Sequence, residues 1–333
     1  MSFTINQDAH AVLLPAFASL DFDEVMVPFL ENGGWSILIG ETRAEYVARS
    51  MSDDRLRSET PEIFAARLAK LTRLRPELIV AVDQELAGIE RLKGIAPALP
   101  RLDEALAMDR EQLESRCFET AVAARTLGVT LFLAPIADVV TGTNPWLEKR
   151  TMSSDPVAVA RLVEAFVTGV QRAGIASATK HFPGFNDLAG DPAVEDVILE
   201  TPLDEILDNA ATFRAAIRAG SKAVMVGPTV VRSIDPAEPA CTSPAIISLL
   251  RKEFGFTGLI VSDDLDAPAT MRDRSLAETA IASLAAGADL LLVAGSADLE
   301  NLSSAIVDAV ERGTLPVTRL AEAADRIRRM AAT

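Results

Sequence analysis

Three short stretches of the sequence place ionisable side chains directly after an apolar run. They are Asp83-Gln84-Glu85, Lys180-His181 and Asp263-Asp264. A carboxylate such as Asp263, held where a buried strand ends, can act as a nucleophile or a general base. Asp264 has the same chemistry but could instead cap the following turn or orient its neighbour, and the spacing does not rank the two. Together the three stretches predict a polar pocket for a small molecule.

Lys180-His181 stands out because it pairs a lysine with one of the two histidines in the chain and precedes the turn Phe182-Pro183-Gly184. Such a rigid turn would hold two hydrogen-bond donors over the pocket. Lys180 could alternatively serve a different class of barrel enzyme as a Schiff-base amine. Arg91 and Arg150 could reach inward to hydroxyls or to a carboxylate, although each alone is also typical of a solvated surface.

Residues 183–196 form a connection that is too long for a plain β/α loop and is rich in acidic side chains. Asp187, Asp191, Glu195 and Asp196 fall within it. The segment is therefore expected to be either a mobile lid or a disordered acidic surface.

The elements that must position these residues are predicted by short runs rich in Val, Ile and Leu that alternate with helical patterns. Buried parallel strands joined by crossover helices have this pattern. Eight strand-helix units favour an α/β fold of the closed (β/α)8 TIM type over a doubly wound open sheet, which usually stops at about five or six strands. The first run could instead be a short helix or an N-terminal arm, leaving seven strands. The predicted strands are Ala11–Ala16, Trp35–Gly40, Leu78–Val82, Thr130–Pro135, Ile175–His181, Ala223–Val226, Leu259–Ser262 and Asp289–Val293.

The helix ends are marked by residues that favour capping. Thr60-Pro61, Asp155-Pro156 and Ser243-Pro244 each put a capping oxygen before a proline at the first helical position. A final helix over residues 317–330 is expected to pack against the first strand, and the lack of a long linker predicts a single domain over residues 1–333. Left-handed glycines are expected to end helices at Gly128, Gly174, Gly220, Gly255 and Gly287.

Composition and charge exclude several classes of function. A formal charge of −16 and a pI near 4.7 oppose binding to nucleic acid or to an anionic membrane. No bilayer-spanning apolar run and no basic-then-apolar leader is visible, which predicts cytoplasmic residence. Cys117 and Cys241 are expected to be buried, and His10 and His181 are too few for a zinc site. Phosphate-binding glycine motifs are absent, so we predict neither a cofactor nor a metal. A carboxylate-bound Mg²⁺ or Ca²⁺ remains an open alternative. The oligomeric state is also left open.

The motif Lys180-His181-Phe182-Pro183-Gly184, with Val261-Ser262-Asp263-Asp264-Leu265 further along, resembles glycoside hydrolase family 3 and, within it, single-domain bacterial β-N-acetylhexosaminidases of carbohydrate metabolism. Residues 82–85, 134–139 and 255–260 support the resemblance. It implies a TIM barrel and a retaining double displacement in which Asp263 attacks the anomeric carbon of a carbohydrate substrate. The side chains implied to hold the sugar are Asp83, Arg91, Arg150, Lys180 and His181.

The sequence departs from this family on the acid/base side. The loop histidine that serves as acid/base in the family's hexosaminidases is replaced within Asp191-Pro192-Ala193, and Phe185-Asn186 stands where that loop has His-Gly. Leu86-Ala87-Gly88-Ile89 replaces a segment with an expected arginine, and Pro228 stands where a further histidine is usual. Loss of acid/base help should cost ~10²- to 10⁴-fold in rate, so impaired cleavage is expected.

Three interpretations of this departure remain. A loop carboxylate, Asp187, Asp191 or Glu195, could have become the acid, since apolar surroundings raise a carboxyl pKa. The leaving group could be one, such as a phosphate, that needs no protonation. The chain could also be a catalytically silent sugar-binding or sensor protein. We predict Asp263 and Asp191 as the catalytic residues of an O-glycosyl hydrolase.

Overall fold

A closed barrel of eight parallel strands forms the centre of the protein, which the computed structural model describes over residues 3–332. Each strand pairs with the next in chain order, and the eighth returns to the first, with Leu291 opposite Leu13. A bridge between Val261 and Leu290 joins the seventh and eighth strands. The predicted barrel is confirmed, and its first run is a strand. The strands are β1 Leu13–Phe17, β2 Ser36–Ile39, β3 Ile79–Val82, β4 Leu131–Phe132, β5 Ala176–Phe182, β6 Ala223–Val226, β7 Leu259–Ser262 and β8 Leu291–Ala294.

Helices surround the barrel, and none in residues 3–332 is long and apolar enough to cross a membrane. Two further strands of two residues each, Ile198–Leu199 and Val230–Val231, pair with each other apart from the barrel. The α-helices are α1 Ile5–Ala11, α2 Asp23–Glu31, α3 Arg43–Ala48, α4 Asp53–Ser58, α5 Pro61–Leu74, α6 Leu102–Ala107, α7 Arg110–Thr126, α8 Pro156–Arg172, α9 Leu203–Asn209, α10 Ala211–Arg218, α11 Pro244–Ser248, α12 Pro268–Met271, α13 Leu276–Ala286, α14 Leu299–Glu311 and α15 Val317–Ala331. A π-helical turn, Leu249–Glu253, extends α11, and 3₁₀ turns cover Pro145–Leu147 and Ala240–Thr242.

The predicted helix caps are confirmed. Thr60, Asp155 and Ser243 each accept a backbone N–H from the first turn of the helix that follows, and a proline occupies the first helical position. Cys117 and Cys241 are free and buried. The glycines predicted to end helices all have positive φ: Gly128, Gly174, Gly220, Gly255 and Gly287.

The final helix, α15, packs mainly on α1, which leads into β1, rather than on β1 itself. Its arginines reach the bottom of the barrel, where the buried carboxylate of Asp289 precedes β8. Asp289 accepts Arg319 at 2.5 Å and Arg326 at 2.9 Å from α15, and Arg251 at 2.6 Å. This multiple pairing satisfies the buried charge and ties the end of the chain to the strands.

The ladder between β5 and β6 changes register between Thr179 and Phe182. Over the same residues the backbone of Lys180 pairs with the chain after β4, donating to Pro135 O at 3.0 Å and accepting from Ala137 N at 2.6 Å. Such irregularities re-aim side chains at the rims of barrels. The two residues of the Lys180-His181 motif therefore leave the regular strand at the barrel mouth.

Candidate active site

A cavity of about 460 Å³ lies at the carboxyl ends of the strands. This is the end of a (β/α)8 barrel where functional residues collect. Five carboxyl groups line it together with three cationic side chains. Its ionisable lining residues are Glu41, Arg43, Tyr46, Asp83, Arg150, Lys180, Asp263, Asp264 and Asp266.

Two of the cations are already paired with carboxylates that follow β3. Lys180 Nζ lies 2.5 Å from Asp83 Oδ1 and 2.9 Å from Glu85 Oε1. Arg150 donates to Glu85 from Nη2 at 2.6 Å and from Nε at 3.2 Å. Burial opposes ionisation of Glu85, but the charges of Arg150 and Lys180 prevail and lower its pKa. Burial likewise opposes the charge of Lys180, yet Asp83 and Glu85 raise its pKa above the ordinary value.

The backbone after β3 can bend around this cluster because residue 88 is glycine. A Cβ at Gly88 would lie 2.2 Å from Glu85 Oε2 and 3.0 Å from Arg150 Cγ. Ile89 completes the bend by donating its backbone N–H to Glu85 Oε2 at 2.9 Å. Glycine at position 88 therefore leaves room for the buried ion pair.

His181 is fixed between a buried carboxylate and an aromatic ring. Its Nδ1 and its backbone N both lie 2.9 Å from Asp138 Oδ2, and its ring centroid lies 4.4 Å from that of Trp146. Asp138 also accepts the backbone N–H of Phe185 at 2.8 Å. The other ring nitrogen, Nε2, lies 3.9 Å from Asp263 Oδ2. The histidine is thus held beside the carboxylate at the end of β7.

Asp263 keeps a free carboxylate oxygen. Its Oδ1 accepts the backbone N–H of Asp264 at 2.8 Å, whereas Oδ2 has no hydrogen-bond partner among the contacts of residues 3–332. Its backbone N donates to Val226 O on β6 at 3.0 Å, which fixes the strand end. Only 13% of the side chain is exposed. A carboxylate in this position has few hydrogen-bond donors that would lower its reactivity as a nucleophile.

Glu41, two residues beyond β2, also keeps a free carboxylate oxygen. The side chain is half-buried, and its Oε2 is shut off from solvent without a hydrogen-bond partner in the described chain. Burial and the charges of Asp83 and Glu85 raise the pKa of Glu41 to about 8. A carboxyl group with this pKa carries its proton at neutral pH.

Asp264 is the second cavity carboxylate that favours its neutral form. Removal from bulk water and the charges of Asp263 and Asp266 raise its pKa well above the ordinary value. The side chain is exposed to the cavity, so we attribute the shift mainly to its charged neighbours. Carboxyl groups packed this closely disfavour simultaneous ionisation, so one of them keeps its proton to a higher pH than an isolated carboxyl group does.

The predicted sugar-binding residues occupy different places. Asp83, Arg150 and Lys180 line the cavity, and His181 backs onto Asp263. Arg91 is outside the lining, with 1% of its side chain exposed. Its Nε donates to Gly40 O at 2.7 Å, and its Nη2 lies 2.8 Å from Glu59. Arg91 therefore supports the backbone next to Glu41, and its contact with a sugar stays a prediction.

The acidic loop after β5 is packed onto the barrel, with Phe185 and Leu188 fully buried. Asp191 Oδ1 accepts the backbone N–H of Ala193 at 3.0 Å, and Oδ2 lies 3.4 Å from the Arg43 guanidinium. Pro192 and Ala193 form the cavity wall at this point.

The other two loop carboxylates predicted as acids lie in different environments. Asp187 accepts the backbone N–H of Thr143 at 3.0 Å, and Glu195 is exposed. The catalytic assignment of Asp191 stays a prediction.

Several site residues were missed by the sequence reasoning. Glu41 and Asp266 follow strands, so the rule that selected Asp83 and Asp263 could have found them. Asp138 gave a weaker signal as a lone charge in an apolar run. Among residues 3–332, His, Cys, Asp and Glu side chains form no group of three or more that could hold a metal.

Known proteins resemble this chain in sequence and in structure. A beta-hexosaminidase of Methylococcus capsulatus is 31% identical over 77% of this chain and 77% of its own length. LpqI of M tuberculosis has a solved structure that matches 99% of this chain and 94% of its own, with a TM-score of 0.84 and 24% identity.

A glycoside hydrolase family 3 beta-N-acetylglucosaminidase from Paenibacillus sp. str. FPU-7 has a TM-score of 0.86 and 25% identity, over 99% of this chain and 63% of its own. Residues 44–330 match the sequence profile of the glycosyl hydrolase family 3 N terminal domain. This match covers most of the chain, and we conclude that the chain belongs to glycosyl hydrolase family 3.

Proposed function

We propose that the protein hydrolyses β-N-acetylglucosaminides or related glycosides with retention, using Asp263 as the nucleophile. The observation that carries this proposal is the free Oδ2 of Asp263 at the end of β7, beside the fixed His181 ring. The names of its relatives, beta-hexosaminidase and beta-N-acetylglucosaminidase, support the substrate class.

In this reaction the Asp263 carboxylate bonds to the anomeric carbon while the bond from that carbon to the aglycone oxygen breaks. Water then attacks the same carbon and releases Asp263. Positive charge builds up on the sugar in each transition state, and the adjacent Asp263 carboxylate favours it. Lys180 and Arg150, held by their ion pairs, are suited to donate hydrogen bonds to hydroxyl groups.

Charge argues against two of the other interpretations. A phosphate leaving group needs free cations, but the three cationic side chains of the cavity are paired: Lys180 with Asp83, Arg150 with Glu85 and Arg43 with Asp191. A Schiff base needs a neutral amine, but the carboxylates beside Lys180 raise its pKa. An uncharged glycoside is the better fit to this cavity.

The nucleophile is tested with an activated glycoside that carries fluorine at C2, which slows release of the glycosyl group. Asp263 should be labelled, as read by peptide mass spectrometry, and Asp263→Asn should prevent labelling. Exposed Asp273 supplies a matched control, since Asp273→Asn should leave labelling unchanged. Labelling at another residue would refute the assignment.

A catalytically silent sugar-binding protein is the second candidate. It is favoured by the apolar wall of Pro192, Ala193 and Pro228, where the family has histidines. This alternative predicts that N-acetylglucosamine binds, as measured by calorimetry, while aryl glycosides with good and poor leaving groups both stay intact. Turnover of either substrate by the wild type, lost in Asp263→Asn, would exclude it.

A further inference from the structure

We propose that Glu41 is the proton donor to the leaving group of this hydrolysis, a role that the family's hexosaminidases give to a loop histidine. The inference rests on the proposed function. It starts from the cavity wall, where Pro192 and Ala193 offer no proton and Asp191 is engaged with Arg43 and with the turn.

The position of Glu41 is fixed from both sides. Ahead of it, Gly40 donates its N–H to Phe17 O at 2.8 Å, and its carbonyl accepts Arg91 Nε at 2.7 Å. Behind it, Thr42 caps α3 through a reciprocal hydrogen-bond pair with Glu45. A catalytic group benefits from such a rigid support, because misplacement by ~1 Å can cost ~10²-fold in rate.

The charges around Glu41 keep it from being an ion-pair partner. Asp83 and Glu85 face it from the end of β3 and raise its pKa, while Lys180 and Arg150 lower it. Those two cations are already bound to Asp83 and Glu85.

Two further groups act on the same site. Arg91 is attracted to Glu41 but is bound to Glu59, and Asp264 and Glu41 oppose each other's ionisation. The net surroundings favour the neutral acid, the form that a proton donor requires.

Barrel order separates Glu41 from the nucleophile. Glu41 follows β2, and Asp263 follows β7, with β8 and β1 between these strands. A retaining glycosidase needs its acid at the leaving group and its nucleophile on the other face of the sugar ring. Asp264 also favours its neutral form, but it adjoins Asp263 and donates its backbone N–H to that carboxylate. Glu41 is therefore the better placed of the two.

Glu41 alone accounts for both proton transfers of the reaction. Its carboxyl proton passes to the aglycone oxygen as that oxygen leaves the anomeric carbon and Asp263 bonds to it. The Glu41 carboxylate then takes a proton from the attacking water as Asp263 is released. Both side chains return to their starting states, and no further reactant is needed.

The test compares Glu41→Gln with the wild type on two aryl β-N-acetylglucosaminides. For methoxyphenol, a poor leaving group, kcat/KM should fall by ~10²- to 10⁴-fold, and for dinitrophenol by less than ~10-fold. Azide should speed turnover of the dinitrophenyl substrate by the variant and yield the β-glycosyl azide. In the wild type the alkaline limb of kcat/KM for the poor leaving group should lie near the pKa of about 8 and should vanish in the variant.

Matched carboxylate variants separate the alternatives. Exposed Asp273→Asn should behave as the wild type, and for Asp191→Asn, Glu195→Gln and Asp264→Asn any loss of kcat/KM should be the same on both substrates. The inference would be overturned if Glu41→Gln lost kcat/KM equally on both substrates or lost none. It would also be overturned if Asp191→Asn lost kcat/KM mainly on the poor leaving group. If the wild type cleaves neither substrate and Asp263 is not labelled, the proposed function itself fails. Labelling of Asp263 in Glu41→Gln shows that the variant has kept its fold.

Discussion

Glu41→Gln should make the protein more stable at alkaline pH, whatever its effect on catalysis. The reason is that Glu41 has a pKa of about 8 in the folded protein and an ordinary value of 4.5 when exposed. Between these values the unfolded chain has released the proton and the folded protein still holds it. Wild-type stability must therefore fall as pH rises through this window, and it levels off beyond either end. Glutamine has no proton to release, so the variant lacks this fall.

The size of the effect follows from the two pKa values. Each tenfold difference in proton affinity is worth about 1.4 kcal/mol, which sets an upper limit of about 5 kcal/mol for the full difference. Because Glu41 borders an open cavity, solvent screening should leave about half of it, roughly 2 to 3 kcal/mol. With an unfolding entropy of about 2.1 cal/mol/K per residue, a chain of this length should show a Tm gain of about 3 to 4 °C.

The measurement is the Tm of both proteins by calorimetry, at about pH 4 and at about pH 9, on either side of the window. The two Tm values should agree in acid and diverge in alkali, with Glu41→Gln the higher. Glu195→Gln removes an exposed carboxylate and should track the wild type at both pH values. A difference that does not change with pH, or a variant that is less stable in alkali, would refute the reasoning about the cavity charges.

Two further substitutions test the groups that hold the site. Arg150→Met leaves buried Glu85 with Lys180 and the Ile89 N–H alone, and it should cost about 3 kcal/mol in the free energy of unfolding measured with urea. Adding Glu85→Gln to Arg150→Met should recover most of that loss, and an additive result would contradict the pairing. Asp138→Asn should lower kcat by about 10²-fold with little change in KM, because the His181 ring loses its carboxylate acceptor. An unchanged kcat would show that the orientation of the ring does not matter.

The strands of the barrel could be predicted because their signal is local. Runs such as Leu259–Ser262 are buried along their whole length, and Gly255, which precedes this strand, has the positive φ that glycine adopts readily. Asp83, Lys180 and Asp263 could be selected for the same reason, since the rule that strands end at the barrel mouth needs only the order of residues.

The rest of the site depends on contacts between distant parts of the chain. Arg91 follows Asp83 closely in sequence, yet its guanidinium binds Glu59 and Gly40 instead of lining the cavity. Asp191 was selected by its position in a motif, but its carboxylate is paired with Arg43 on α3. Glu41 is a single carboxyl group after a strand, and what distinguishes it is that the nearby cations Lys180 and Arg150 are paired with other carboxylates. The sequence does not show which carboxylate each of these cations binds, so the special environment of Glu41 could not be predicted from it.

The same unpartnered oxygens connect stability with chemistry. Glu41 Oε2 and Asp263 Oδ2 are both shut off from solvent without a hydrogen-bond donor from residues 3–332, an arrangement that a protein selected for stability alone would remove. Their different charge environments assign them opposite tasks. Glu41 is buried beside Asp83 and Glu85, which hold the nearby cations Lys180 and Arg150, so it keeps a proton. Asp263 instead lies beside His181 and the N–H of Asp264. A retaining glycosidase needs one carboxyl group of each kind, and in the hydrolysis proposed above Glu41 supplies the neutral one and Asp263 the ionised one.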